Sequence, residues 1–435
     1  MESTRILSTA ELAQAPVDPQ RTQTGSAPPG IALACLAGNS YALSTATSRE
    51  HFLLRVASGG PAASGPRRPL NLCLAIDRSG SMDGEPLEYV KQACGHILDL
   101  LGPEDVISIV TFEDAVDVVV PAVRVLNREL LKQHIQRIIA GRTTNLYDGL
   151  VSAFAQVSAA ASPSTVNRVL LLTDGEPTAG IRDFQSLVTL VGEKKDLGLT
   201  VTALGFGPEY NEELLAGMAR RSGGSYYYIP RPELIPEVFR KELQSLLTLQ
   251  ATDLRLRLRL PRWVSLRQVY GHQASYGPGY AEVALADLEA GRTISVVAEL
   301  ELGPRPSGTY RVAVAELNYQ EAGRAGTCAA AAVLEFTPDA ALVTANANPV
   351  VQQEVELAQA SRALERTVMG MRTQQISSVT VMAELERTQT LLARGGRLGE
   401  ATQVGQVLSG LRAGSSEGAE KTLIGTVLDL DQGKS

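Results

Sequence analysis

The run LNLCLAID, residues 70–77, limits the possible folds more than any other stretch of this 435-residue chain. Leu70, Leu72, Cys73, Leu74, Ala75 and Ile76 leave no polar alternation beyond Asn71, so both faces of the segment need cover. A central strand of a parallel sheet wrapped by helices meets that demand. Such a strand delivers Asp77 to the carboxyl edge of its sheet, where open α/β folds bind ligands. The residues that follow, RSGSM, add Ser79 and Ser81 in a turn made tight by Gly80. A carboxylate and two hydroxyls therefore crowd one sheet edge.

The strand pattern recurs. VISIVTF from Val106, RVLLLT from Arg168, TVTALGF from Thr200 and SYYYI from Ser225 are each followed by a turn, and most by helical periodicity. Leu87, Val90, Cys94, Ile97 and Leu101 recur at three- and four-residue spacing, the stripe of a helix packing on a sheet. Further helices are expected near 128–139, 146–161, 183–198, 211–222 and 234–247. This alternation predicts an α/β domain over 70–247, a doubly wound, mostly parallel sheet.

After Gln250 the period shortens to two. Leu254, Leu256, Leu258 and Leu260 alternate with Arg255, Arg257 and Arg259, as in a half-buried strand whose arginines face solvent or acidic partners. ISVVAELEL, YRVAVAEL and CAAAAVLEF continue the pattern to about Thr337. The early runs IALACLA from Ile31 and HFLLRVAS from His51 have no partners except these. The α/β domain is therefore expected to be inserted in, or flanked by, a β-sandwich built from 30–69 and 251–337. Residues 348–413 read as helical, with Leu398, Ala401, Val404, Leu408 and Leu411 on one face. Residues 1–29 read as a disordered tail and 414–435 as a frayed one, where Thr22, Thr24, Thr422 and Thr426 would be open to a kinase or a phosphothreonine reader.

Composition narrows the partners. A hydrophobic content of 44% supports cores for more than one domain, and a net charge of −7 argues against nucleic acid or an anionic membrane as partner. Cys35, Cys73, Cys94 and Cys328 are scattered with no disulfide or CxxC spacing, so reduced, buried thiols are expected. No run reaches the roughly 18 apolar residues of a membrane helix, and MESTRILSTAELAQAP lacks a signal-peptide core. These features predict a cytoplasmic chain. His51, His96, His134 and His272 lack zinc-site spacing, and Gly205 and Gly207 do not complete a GxGxxG.

Two more segments extend the site. GRTTNLYDG from Gly141 feeds a helix, and LLLTDGE from Leu170 is a buried strand ending in Thr173 and Asp174. Both are expected at the same edge as Asp77. Mg2+ takes about six oxygens and keeps some waters, which suits hydroxyls backed by carboxylates; Mn2+ and Ca2+ share the preference for hard oxygen. If Ser79, Ser81 and Thr144 bind directly while Asp77 and Asp174 act through water, one position stays open for a partner's carboxylate. The enzyme alternative is a metal-dependent phosphohydrolase with Asp77 as nucleophile, but Ser79 stands where that chemistry commonly needs an acid.

These residues resemble the von Willebrand factor A domain, whose metal-ion-dependent adhesion site combines DxSxS, a threonine in a glycine-rich TN loop, and an aspartate after a strand. DRSGSM supplies Asp77, Ser79 and Ser81, TDGE supplies Asp174, and Thr144 precedes Asn145. Arg142 and Thr143 stand where many relatives carry small residues, so Thr143 is an alternative to Thr144 as ligand. The resemblance implies a Rossmann-like fold in a bacterial cytoplasmic protein that binds, through Mg2+ and without catalysis, a protein ligand offering an acidic side chain. The alternative is a structural scaffold in which the metal only stiffens the loops.

Overall fold

The computed structural model describes residues 30–59, 67–162, 164–416 and 418–433. The expected tail 1–29, with Thr22 and Thr24, lies outside the described residues. At the centre is the strand Leu70–Asp77, buried along all eight residues. Leu70, Leu72, Leu74 and Ile76 join one apolar cluster, and Cys73 and Ala75 another on the opposite face. Helices Glu85–Leu100 and Ile235–Leu247 cover the first face; Leu146–Ala159, Phe184–Lys195 and Glu212–Ser222 cover the second. Each fully buried leucine contributes about 1.5–3 kcal/mol, so two-sided cover fixes this strand in place.

Six strands form the sheet in the order Val116–Arg124, Val106–Phe112, Leu70–Asp77, Val166–Thr173, Thr200–Phe206, Tyr226–Ile229. All pairs are parallel except the first. The chain builds outward on one side of Leu70–Asp77 and then crosses to the other, so the topological switch falls at the carboxyl ends of Leu70–Asp77 and Val166–Thr173. Val116–Arg124 is not among the strands expected from the sequence. Its residues are mostly exposed or half-buried and Pro121 interrupts it, which only an edge strand tolerates.

A β-sandwich surrounds this unit in sequence. Ile31–Ala37 and Ser48–Ser58 form one sheet with Thr293–Leu302 and Val264–Val269. Tyr41–Leu43 is an edge strand of the other sheet, beside Arg324–Thr337, which is followed across that sheet by Gly308–Glu321 and then Leu249–Arg259. The two-residue period after Gln250 is borne out: Leu254, Leu256 and Leu258 are buried, while Arg257 pairs with Glu282 at 2.7 Å and Arg259 with Glu316 at 2.8 Å. All four cysteines are buried and free.

Helices Pro349–Arg372, Ser378–Arg394, Leu398–Arg412 and Ala419–Asp431 share a core of Leu364, Leu385, Val404 and Leu423. The last helix corrects the expectation of a tail over 414–435. Leu423, Val427 and Leu428 give it a buried stripe that GSSEG masks by reading as a frayed end. Thr426 is fully buried and donates to Gln403 Oε1 at 2.9 Å, so no kinase reaches it in the folded chain. Thr422 is half-buried and donates to Gly418 O at 2.9 Å. No helix among the described residues is long and apolar enough to cross a membrane.

The α/β unit and the sandwich meet at Arg168, whose guanidinium reaches Asp287 at 2.8 Å with both side chains almost fully buried. Breaking a buried pair strands one charge, so Arg168→Met is expected to cost about 3–5 kcal/mol in urea unfolding. Glu50, on Ser48–Ser58, shares a cleft with Val351, Val355 and Glu356, and burial pushes its carboxyl up to about 7 from an ordinary 4.5. The folded chain then holds a proton that the unfolded chain has released, so stability falls as pH rises from 4.5 to about 7. Glu50→Gln is expected to flatten that part of the stability–pH curve.

Candidate functional site

Asp77 ends its strand at 0% exposure, with both carboxylate oxygens engaged. Oδ1 accepts from Ser79 N at 2.8 Å, which closes the turn after the strand. Oδ2 accepts from Thr173 Oγ1 at 2.5 Å, which ties the turn to the neighbouring strand. The turn then aims two hydroxyls at one point. Ser79 Oγ and Ser81 Oγ are 3.1 Å apart and donate to Asp174 Oδ1 at 3.4 and 3.0 Å. Four of the five expected residues thus form one hydrogen-bonded cluster.

Thr144 completes the ring. It is buried, and its hydroxyl faces the Asp174–Gly175 turn, 3.9 Å from where a Cβ on Gly175 would stand. Thr144 N donates to Thr178 Oγ1 at 2.9 Å, and Thr178 N donates to Thr144 O at 3.0 Å. The neighbouring Thr143 hydroxyl is buried with no hydrogen-bond partner among the described residues. Asn145 then caps helix Leu146–Ala159, accepting from Asp148 N.

The chain holds these loops together with residues that the motif does not announce. Glu113, just past Val106–Phe112, accepts from Arg142 N at 3.0 Å and from Arg78 at 3.2 Å, and its carbonyl accepts from Asn145 N at 2.8 Å. Gly141 N donates to Arg78 O at 2.6 Å. Their one signal in sequence is position, since Glu113 follows a strand that ends at this same edge. Arg78 turns to Glu113 and to Asp117 at 2.8 Å.

Among the described residues no cationic side chain pairs with Asp77 or Asp174. Burial, with the Asp174 charge adding to it, pushes the Asp77 carboxyl up to about 6, and burial also raises Asp174. Two desolvated carboxylates and three hydroxyls, all oxygen, fit a hard divalent cation and no soft one. Among the described residues no group of three or more His, Cys, Asp or Glu side chains offers a competing centre.

Fold and site together define a doubly wound α/β domain with a cluster of carboxylates and hydroxyls at its switch point. Residues 71–241 match the family model of the von Willebrand factor type A domain. An uncharacterized protein of Synechocystis is 36% identical over 208 residues, 48% of this chain and 49% of that one. Inter-alpha-trypsin inhibitor heavy chain H4 of Sus scrofa is 31% identical over 36% of this chain and 18% of its own length. The chain thus spans half or less of these curated relatives. A solved von Willebrand factor type A protein from Catenulispora acidiphila aligns over 88% of this chain and 91% of its own, with a TM-score of 0.73 at 19% identity. That fold likeness extends beyond the 71–241 domain into the flanking parts.

Gly180 offers a geometric test of how the Thr144 loop is held. Its φ is +66° and a Cβ there would overlap Asn145 Oδ1. Gly180→Ala is expected to displace the Asn145 cap and to cost about 1–3 kcal/mol in denaturant unfolding. Gly198→Ala, with open space around the same kind of backbone, is the control for φ strain alone.

Proposed function

We propose that the chain is a non-enzymatic protein-binding module that holds Mg2+ at Asp77, Ser79, Ser81, Thr144 and Asp174. The observation that carries this reading is a pair of buried, uncompensated carboxylates facing clustered hydroxyls at the switch point. Ser79, Ser81 and Thr144 bind the ion directly, and Asp77 and Asp174 act through water. With neutral direct ligands the ion keeps most of its charge, and an acidic side chain of a partner protein takes the position left open. Mn2+ substitutes, and Ca2+ does so less well because it asks for a larger shell. The facing of the Thr144 hydroxyl toward Gly175 favours Thr144 over Thr143 as ligand.

A nucleophilic Asp77 is disfavoured by its own hydrogen bonds, since Ser79 N and Thr173 Oγ1 occupy both oxygens. Four buried, unpaired thiols favour a reducing compartment and hence the cytoplasm.

Affinity capture with the full chain, in Mg2+ and again in a chelator, tests the proposal. Partners are expected to be retained with Mg2+ and lost both with chelator and in Ser79→Ala/Asp174→Ala. Thermal melts run alongside it. Mg2+ at about 100-fold over its Kd is expected to add about 2.7 kcal/mol of stability to the wild type and none to the double variant. Partners unchanged by chelation despite that stabilisation would instead mean that the ion only stiffens the loops.

A further inference from the structure

The surface around the oxygen site is polarised. On one flank the chain runs on from Ser81 and from Asp174, and an exposed acid stands two residues beyond each, Asp83 and Glu176. Neither 81–85 nor 174–177 holds a basic residue. The other flank, 137–145 with 178–183, carries Arg137, Arg142 and Arg182, all exposed. Its one acid, Asp183, is engaged at the start of helix Phe184–Lys195, where it accepts from Ser186 N at 2.8 Å.

Backbone contacts place this second flank at the site. A Cβ on Gly80, between the two serines, would stand 3.6 Å from Gly141 O and 3.8 Å from Arg142 O, so Arg142 abuts the serine turn. Thr178 N and Ala179 N both donate to Thr144 O, at 3.0 and 3.2 Å, and Gly180 packs against Asn145. Arg182 follows Gly180 by two residues, at most about 7 Å of chain. Neither the Arg142 nor the Arg182 guanidinium has a hydrogen-bond or ion-pair partner among the described residues. Glu113 accepts from the Arg142 backbone N–H, and its carboxylate is paired with Arg78. Ile139, 70% exposed, and Ile181, 44% exposed, lie on the same flank. Arginine beside exposed apolar surface is what protein interfaces favour.

We propose that the partner protein presents a segment with two acidic side chains, the first on the cation and the second held by Arg142 and Arg182, which set the specificity. The inference rests on the metal reading above. A first carboxylate is drawn to the cation between the flanks. A second is repelled by Asp83 and Glu176 and attracted by the arginines, so it fits on the Thr144 side alone. A guanidinium meets a carboxylate through two parallel N–H groups, which adds geometry to charge. Lysine in the second place would face two like charges, and a neutral residue would leave both arginines unpaired.

Short synthetic peptides on a Gly/Ser background, binding to the full chain loaded with Mn2+, test this. One set carries a single Glu, a second adds another Glu at successive spacings, and a third puts Lys in that place. The best two-Glu peptide is expected to bind about 5-fold more tightly than the single-Glu peptide, and the Lys peptide no more tightly than the single-Glu one. That advantage is expected to shrink at about 1 M salt, where screening acts within ~3 Å. In Arg142→Gln/Arg182→Gln the single-Glu and two-Glu peptides are expected to bind alike, and in Arg142→Glu/Arg182→Glu the Lys peptide is expected to bind best, with Mn2+ uptake by calorimetry retained in both. Equal binding of single-Glu and two-Glu peptides by the wild type overturns the proposal, as does binding of no Glu peptide by a chain that takes up Mn2+. A two-Glu advantage that survives either double variant overturns the role of the arginines. Equal Mn2+ uptake by wild type and Ser79→Ala/Asp174→Ala instead removes the metal reading itself.

Discussion

The structure around the site depends on one unfavourable act, the burial of the Asp77 carboxylate at the end of the central strand. An ion of that size loses several kcal/mol on leaving water. The chain answers with one N–H from Ser79 and one O–H from Thr173, charge-assisted bonds of about 1.5–3 kcal/mol each. They do not offset the whole cost, since the carboxyl remains pushed up to about 6. They do, however, fix geometry: one closes the turn that aims Ser79 and Ser81, and the other locks that turn to the strand that ends in Asp174. Strain from burial and order at the site have the same source, and among the described residues no cationic side chain balances the two carboxylates.

The insertion solves a problem of chain topology. The first sandwich strands pair with strands far along the chain, Phe52 with Ala298 and Leu53 with Val297. Closing so long a loop is entropically slow and unfavourable if the intervening chain is disordered. Here the intervening chain is a folded unit whose entry and exit lie at one end of it. Leu70 opens its central strand, and Leu246 and Leu249 finish in the same apolar cluster. Arg68 then bridges the junction by donating to Thr165 O at 2.9 Å and to Thr252 Oγ1 at 3.1 Å. Once the α/β unit forms, the effective loop between the two halves of the sandwich is short.

What the sequence revealed divides along a physical line. Short continuous apolar runs such as LNLCLAID and LLLT, each ending in a turn, fit central strands better than helices, and the switch from helical to two-residue period at Gln250 marks a change of layer, so both were legible. The oxygen cluster was legible too, because hydroxyls and carboxylates at strand ends are few and their spacing is short. Val116–Arg124 was not, because an edge strand need satisfy one neighbour only and its burial is irregular. Glu113, Thr178 and Gly180 were also hidden. Their work is done through backbone hydrogen bonds and a positive φ between loops distant in sequence, and no local pattern encodes that.

The last helix shows the same limit from the opposite side. Read alone, AEKTLIGTVLDLD after GSSEG is a short amphipathic stretch that would fray in water. In the fold it is where three parts meet. Asp431 accepts from Ser361 of the helical segment at 2.7 Å and from Arg220 of the α/β unit at 2.9 Å. It also stands so close to Gly271 of the sandwich that a Cβ on Gly271 would strike it. Two residues on, Gly433 O accepts from Ser295 N, also of the sandwich, at 3.0 Å. Burial raises the Asp431 carboxyl while Arg220 opposes that rise, so its charge is tolerable only where all three parts are assembled. A helix too short to persist alone is thus conditional on the assembly of all three parts.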